Sequence, residues 1–288
     1  MTIIVFILLC FIWGSTWIAI KLGLNDAPPL YASSFRFVIS IIILYAIIFV
    51  KKYSLPKTLK RFFYLGYPGI YMYGGSYALI YLAEQYINSS LTAVLFASFP
   101  LFVALLSLGI LKEEKQKIMA WLGLILGFVG IIVISYDSLQ TSEHIFWGTI
   151  LALGGSFLAA LGVVIHKKHF ARDNIYVSIA VQMTLGGIPL LFSAIIFEHI
   201  SSFLITWQSV GSILYLSVLG TVVAFVGYYW LLARIDAVAV SLIAFITPLV
   251  AIFIGVVLFG ESLSWLIFLG TLMILSGVFL VMRKSPSY

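Results

Sequence analysis

Hydroxyl and phenol groups recur on one side of an apolar stretch of the chain. Four of them stand at i, i+3, i+4 and i+8, the spacing of one α-helical face: Tyr73, Ser76, Tyr77 and Tyr81. Each hydroxyl needs a hydrogen-bond partner where water is excluded, and the rings add apolar surface. Such a stripe suits the binding of an amphipathic small molecule in a cavity. The alternative is a stripe that bonds to neighbouring helices in a packed core.

A second aromatic and polar group lies near the start of the chain. Trp13 and Trp17 are four residues apart and share a helix face, and Thr16 is three residues from Trp13. We expect Trp13 and Thr16 to line the same cavity as the tyrosine stripe. Packing against lipid is the alternative, and Trp17 also fits an outer belt of interfacial aromatic residues.

Two prolines occupy the middle of long apolar runs. Pro100 and Pro248 each remove one backbone N–H donor, which frees a carbonyl one turn earlier and bends a helix. In a membrane the freed carbonyls need other donors, such as the hydroxyls of Ser98 and Thr247, a neighbouring helix or water. Because a glutamate follows each proline thirteen residues later, we expect two corresponding hinges. A pair of tolerated kinks is the alternative.

Two basic residues could attract an anionic group to this cavity. Lys21 ends the first apolar run, and Arg36 lies about six residues inside the second. An arginine at a helix centre costs about 2.5–3.5 kcal/mol on membrane-insertion scales, so its presence needs a reason. We expect Lys21 and Arg36 to form an electrostatic mouth at the outer side. The alternative for Arg36 is a structural anchor that snorkels to the interface.

The chain lacks the sequence patterns of common catalytic centres. It contains no GxxxxGK[ST] phosphate loop, no G-x-S-x-G nucleophile elbow and no HExxH zinc pair. No acidic residue falls in the middle of an apolar run, so a carboxylate proton relay is not indicated. We therefore expect no enzymatic activity, no cofactor and no metal site.

Composition determines the elements that must position these residues. Hydrophobic residues make up 63% of the 288 residues and charged residues 9%, and the mean hydropathy is +1.17. A soluble domain carries roughly a quarter charged residues, whereas apolar runs of about 20 residues cross a hydrocarbon core of about 30 Å as helices. We predict an all-α integral membrane protein. Its ten predicted transmembrane helices cover residues 3–21, 30–50, 62–82, 89–111, 117–135, 145–166, 176–197, 208–232, 237–259 and 264–282.

The lysines and arginines orient the predicted helices. With the N-terminus inside, fourteen of them fall on the inner side and one, Lys21, on the outer side. The positive-inside rule then places both termini in the cytoplasm of a multi-pass protein of the cell membrane. Because the net charge of +6 is scattered over short loops, we expect no nucleic-acid binding.

The two halves of the chain resemble each other weakly. Residues 72–113 align without gaps onto residues 220–261, an offset of 148 residues that also pairs the two prolines. Each half contains five predicted helices, an odd number, so the second half would be inverted relative to the first. We predict two inverted five-helix repeats, residues 1–140 and 141–288, with a binding site near the membrane midplane between them.

Four sequence features stand in a characteristic order along the chain. They are FIWGSTWIAIK at 11–21, APPLYASSFRF at 27–37, the proline–leucine pairs at Pro100 and Pro248, and the glycine pattern of the fifth and tenth predicted helices. In order and spacing they resemble the EamA family of the drug/metabolite transporter superfamily. The resemblance implies a cavity lined mainly by helices one, three, four, six, eight and nine. It also implies export of amino acids or other small metabolites.

Together these features predict a secondary transporter that exports a small organic metabolite, an amino acid or an aromatic compound, by alternating access. We expect it to act in the lipid bilayer as a monomer or weak homodimer. An importer or exchanger of nucleotide-like or sugar metabolites is one alternative, and a non-transporting membrane scaffold or lipid-modifying enzyme is another. The predicted binding residues are Trp13, Thr16, Tyr73, Ser76, Tyr77, Tyr81, Ser98, Phe99 and Thr247.

Overall fold

The computed structural model describes residues 1–87, 92, 95–111, 117–134, 136, 145–259 and 265–282. Across these residues the chain is helical and contains no β-strand, which confirms the all-α prediction. Large apolar side chains such as Phe49, Phe192 and Trp207 are exposed on the outer surface, as expected where a protein faces lipid. Glu113 and Glu261, the glutamates that follow the two prolines, lie outside the described residues.

Ten helical stretches, α1 to α10, follow one another in the part of the chain that the structure describes. Each overlaps one of the predicted transmembrane helices. They are α1 (Thr2–Leu24), α2 (Pro29–Val50), α3 (Leu59–Gly69, Ile70–Gly75 and Ser76–Ala83), α4 (Phe99–Ile110), α5 (Ile118–Ile134), α6 (Ile145–Phe170), α7 (Ile175–Phe197), α8 (Trp207–Ser217, Val218–Val223 and Ala224–Leu232), α9 (Ala237–Ser241 and Ile243–Phe259) and α10 (Trp265–Met282).

Five of these helices are long and apolar enough to cross a membrane. They are α1, α2, α6, α7 and α8, each with at least 22 residues. Shorter apolar helices of 10–17 residues occur within α4, α5, α9 and α10. A multi-pass membrane protein follows from these lengths, because a helix needs about 20 apolar residues to span the hydrocarbon core.

Polar side chains at the helix ends fix where several helices begin. Thr58 accepts a hydrogen bond from a backbone N–H in the first turn of α3, and Asn174 does the same for α7. Thr206 forms a capping box at the start of α8. The carboxylate of Glu198, which follows α7, accepts the backbone N–H groups of Leu30 and Tyr31 at the start of α2. These contacts satisfy donors that a helix cannot satisfy internally.

Two wide helical turns interrupt α3 and α8 at corresponding positions. The π-helical segments Ile70–Gly75 and Val218–Val223 are 148 residues apart at both ends, the same offset that pairs the prolines. A π turn closes i→i+5 hydrogen bonds, so the side chains before and after it no longer follow the spacing of a regular α-helix.

Glycines allow two pairs of helices to approach closely. At the contact of α3 and α7, a Cβ added to Gly69 would lie 1.9 Å from the carbonyl oxygen of Gln182. A Cβ added to Gly186 would lie 2.3 Å from the carbonyl oxygen of Gly69. At the contact of α5 and α10, Cβ atoms added to Gly123 and Gly277 would lie 2.6 and 2.5 Å from the opposite glycine's carbonyl oxygen. Small residues at such contacts are typical of helices that pack within membranes.

The two prolines occupy different local structures. Pro100 lies in the first turn of α4, which begins at Phe99 after a turn at Ala97 and Ser98. The first turn of a helix has no partner for the N–H that proline lacks, so proline starts a helix there without bending it. This position differs from the predicted kink within a continuous helix. Pro248 does lie inside a helix, α9.

Candidate functional site

A cavity of about 130 Å³ lies among α1, α2, α3, α6, α8, α9 and the start of α4. The helices that line the cavity include all six that the family resemblance implies. Helix α2 also contributes to the lining, through Arg36. Seven of the nine predicted binding residues line this cavity: Trp13, Thr16, Ser76, Tyr77, Tyr81, Phe99 and Thr247. The other two, Tyr73 and Ser98, are buried elsewhere.

Trp13 is held in the cavity wall by contacts with α8. Its Nε1 donates a hydrogen bond of 3.1 Å to the carbonyl oxygen of Gly220, which lies in the π-helical segment. Its ring packs against those of Phe225 and Tyr228 at centroid distances of 5.3 and 5.2 Å. One polar and two aromatic contacts therefore fix the indole between α1 and α8.

Arg36 is a wall residue of the cavity. Its side chain is only 2% exposed. Nε donates to Thr221 Oγ1 at 2.7 Å, and Nη2 donates to the Gly220 carbonyl at 3.2 Å and approaches the Tyr77 hydroxyl at 3.4 Å. This position differs from the expected outer mouth, because the partners on α3 and α8 hold the guanidinium inside the protein. The side chain of Lys21, the other residue of that predicted mouth, lies outside the described residues.

Tyr73 belongs to a buried hydrogen-bonded network next to the cavity. Its hydroxyl donates to that of Tyr229 at 3.3 Å, and the Tyr229 hydroxyl donates to Gln182 Oε1 at 2.8 Å. The Gln182 amide nitrogen is 2.9 Å from His166 Nδ1. The imidazole of His166 stacks on the ring of Tyr229 with centroids 4.0 Å apart. The network joins α3, α6, α7 and α8.

Sequence reasoning missed this network because its members are scattered over four helices. The available signal was chemical: a histidine and a glutamine within apolar runs must find polar partners in a membrane. A positional signal also existed, since Tyr229 lies 148 residues after Tyr81. Neither signal identifies which side chains meet.

Side-chain hydroxyls satisfy the carbonyls that precede the two prolines by one turn. Ser156 on α6 donates to the carbonyl of Phe96 at 3.1 Å, and its Oγ is 3.0 Å from that of Ser98. In α9, Thr247 donates to the carbonyl of Ala244 at 3.3 Å. Ser98 Oγ lies 2.6 Å from the carbonyl oxygen of Leu95, so the neighbouring helix α6 supplies the donor for the Phe96 carbonyl.

The cavity carries charge of one sign. Its described lining contains the basic Arg36 and no Asp or Glu. Within the described part of the chain, no carboxylate lies at ion-pairing distance from this arginine. Those residues also contain no group of three or more His, Cys, Asp or Glu side chains placed to hold a metal ion. The arrangement can therefore bind apolar, hydrogen-bonding and anionic groups.

Comparison with known proteins gives one consistent family. The sequence profile of the EamA-like transporter family matches residues 1–136 and 146–283. In three dimensions the chain is similar to a solved crystal structure with a TM-score of 0.83, over 99% of this chain and 97% of that one. The sequence identity of that pair is 15%, so the likeness concerns the fold.

Three relatives illustrate the similarity in sequence. The chain is 32% identical over 279 residues to "Uncharacterized transporter YoaV" of Bacillus subtilis, a match that covers 93% of this chain and 92% of that protein. It is 28% identical over 271 residues to the inner membrane transporter YedA of Escherichia coli, covering 94% and 87%. It is 26% identical over 283 residues to a Salmonella typhimurium protein named "Probable amino-acid metabolite efflux pump", covering 95% and 92%.

Proposed function

The chain belongs to the EamA-like transporter family, and from this premise we propose that it exports a small organic metabolite by alternating access. The resemblance inferred from the sequence is thereby confirmed. The protein is a membrane transporter and not an enzyme, since the relatives that it matches are named as transporters. This sets aside the alternatives of a scaffold and of a lipid-modifying enzyme.

The observation that carries the proposal is a cavity walled by both halves of the chain. Trp13 and Tyr77 come from residues 1–140, and Tyr228 comes from residues 141–288. A site between two halves can open to either side in turn when one half rocks against the other. Aromatic rings with polar tips suit amphipathic molecules, and we propose an amino acid or an aromatic compound as the substrate. The name of the Salmonella relative supports this choice.

We propose that the two halves are inverted repeats of five membrane-spanning helices each. The equal offset of the two π-helical segments supports this. The contact of α5 and α10 supports it independently, because Gly123 meets Gly277 while Gly130 meets Gly270. Beyond the gap-free stretch, the sequence alignment of the halves continues at an offset of 147, one residue shorter, and pairs Gly123 with Gly270 and Gly130 with Gly277. Gly123 therefore meets the counterpart of Gly130, and Gly130 meets the counterpart of Gly123. A two-fold relation between the halves requires this exchange.

We propose that both termini lie in the cytoplasm and that this form faces outward. In that orientation the cavity reaches Ile20 and Tyr81, near the outer ends of α1 and α3. A contact between the halves lies on the inner side, where Arg61 Nη2 is 2.9 Å from both carboxylate oxygens of Asp173. The inward-facing form would break this contact.

Counterflow in proteoliposomes tests the proposal. Vesicles loaded with an unlabelled amino acid or aromatic metabolite should accumulate the labelled compound only when they contain the protein. A Tyr77→Ala/Tyr81→Ala variant should lose most of this uptake, because two aromatic side chains that line the cavity are removed. Tyr136→Ala is a matched control, since Tyr136 is exposed outside the cavity. Uptake equal to that of protein-free vesicles for every compound would overturn the proposal.

A further inference from the structure

We propose that the transported molecule is an amphipathic organic anion, a carboxylate joined to an aromatic or branched apolar body, with Arg36 as its counter-charge. This narrows the substrate from amino acids and aromatic compounds in general to molecules with a net negative charge. It rests on the transport function proposed above. Both the surroundings of the guanidinium and the chemistry of the remaining cavity wall favour such a ligand.

Among the residues that the structure describes, the guanidinium of Arg36 is buried with neutral partners. The hydroxyl of Thr221 and the carbonyl of Gly220 accept its hydrogen bonds, and the ring of Tyr77 lies 5.2 Å from its central carbon. Neutral dipoles and a ring face lower the cost of burial but leave a full positive charge in the cavity wall. In the part of the chain that the structure describes, no carboxylate forms an ion pair with this side chain. An anionic ligand would supply the missing charge.

The partners of Arg36 hold it in a fixed position. Thr221 donates its own hydroxyl proton to the carbonyl of Leu216 at 2.7 Å, so its lone pairs face Arg36. The Gly220 carbonyl accepts from Trp13 as well as from Arg36. The two tyrosine hydroxyls of α3 that line the cavity also hydrogen-bond to the guanidinium. A guanidinium has five N–H donors in a rigid planar arrangement that suits carboxylates, so these four partners leave at least one donor for a ligand at a preorganised site.

The rest of the cavity suits an apolar body and offers no partner for an ammonium group by ion pairing. Phe96, Phe99 and Phe225 line it beside the tyrosines, and its described lining has no acidic residue. A zwitterionic amino acid would bring its own positive charge close to Arg36, where like charges repel. The volume of about 130 Å³ is similar to that of a ~150 Å³ cavity that holds benzene. One ring or one branched chain fits.

Four phenyl compounds of similar size and different charge test the charge preference on the purified wild-type protein. They are 3-phenylpropanoate (anion), phenylalanine (zwitterion), 3-phenylpropanol (neutral) and phenethylamine (cation). Affinities are read from thermal-shift titrations and competition counterflow. The anion should bind at least about tenfold more tightly than each of the other three. Equal or tighter binding of phenylalanine or the alcohol overturns the proposal, as does failure of all four to bind.

Variants at position 36 assign the preference to the guanidinium. Arg36→Gln should lower the affinity for the anion about 30-fold or more. It should leave the affinity for the neutral alcohol within about threefold of the wild-type value. Arg36→Lys keeps the charge but loses the fork, so it should show an intermediate loss and serves if the glutamine variant is unstable. Arg172→Gln, at an exposed arginine, is the matched control and should bind like wild type. An anion preference that persists in Arg36→Gln overturns the assignment.

The two proposals fail in different ways. If the anion binds best but no compound supports counterflow, transport as proposed above fails while the ligand class stands. If counterflow occurs with phenylalanine or the alcohol and the anion has no advantage, the transport function stands and the inference about charge is overturned.

Discussion

Replacing Gly69 by alanine should destabilise the protein, because the added methyl group has no space. Its Cβ would lie 1.9 Å from the carbonyl oxygen of Gln182 and 2.4 Å from the carbonyl carbon. An ordinary contact begins at 3.4 Å, so α3 and α7 must separate by about 1.5 Å, the difference between 3.4 and 1.9 Å. The obstructing atoms belong to the backbone of α7, and no side-chain rotation can relieve the clash.

The size of this loss follows from two opposing contributions. Overfilling a packed core costs about 1–3 kcal/mol, and a shift of a helix backbone belongs near the upper end. Replacing glycine by alanine inside a helix gains roughly 0.5–1 kcal/mol by itself. The net loss should be about 2 kcal/mol. Gly211→Ala is the matched control, because Gly211 is also helical and a Cβ added there meets nothing within 4 Å.

Thermal unfolding of the purified protein in detergent, followed by circular dichroism, measures the effect. A change of 1 kcal/mol shifts the melting temperature by about 2–4 °C in a chain of 150–250 residues. Gly69→Ala should therefore melt roughly 4–8 °C below wild type, and Gly211→Ala at or slightly above it. Equal melting temperatures of the two variants would refute the close approach of α3 and α7.

Three further outcomes concern other contacts of the helices. Gly123→Ala should melt several degrees below Gly109→Ala. A Cβ added to Gly123 would lie 2.6 Å from a backbone oxygen of α10, whereas one added to Gly109 meets nothing within 4 Å. Similar melting temperatures of the two variants would contradict the α5–α10 contact. Tyr229→Phe removes a hydroxyl from the buried network and should cost about 1–3 kcal/mol in thermal unfolding, whereas an unchanged midpoint would show that the network does not form. Arg61→Ala breaks an ion pair with Asp173 whose side chains are 43% and 32% exposed. Its loss should stay below about 1 kcal/mol and shrink in high salt, and a salt-independent loss of about 3 kcal/mol would contradict a surface pair.

The tyrosine stripe shows how far helical periodicity reaches. Ser76, Tyr77 and Tyr81 lie in the regular part of α3 and line the cavity together, as their spacing predicts. Tyr73 lies in the π-helical segment Ile70–Gly75 and bonds to Tyr229 instead. The spacing of an α-helical face does not hold across a turn with i→i+5 bonds. Such a turn leaves no distinctive pattern in a single sequence.

Arg36 shows the same limit for electrostatics. The sequence places an arginine inside an apolar run, and the insertion cost indicates that it needs polar partners. Whether it reaches the outer interface or turns inward depends on what the neighbouring helices offer. Thr221 and Gly220, on α8, lie more than 180 residues away along the chain, and only their contact with α2 directs the guanidinium into the cavity wall.

The sequence by itself determined the class of this protein: helical, embedded in a membrane, and a member of a transporter family. The physical reason is that lipid cannot bond to backbone groups, so long apolar runs in a membrane must become helices wherever they occur in the chain. Tertiary structure alone decided which side chains meet. The burial of Arg36 beside Tyr77, the network around Gln182 and the close contact at Gly69 depend on helix rotation and separation, which differ by ångströms between packings that the same apolar pattern permits.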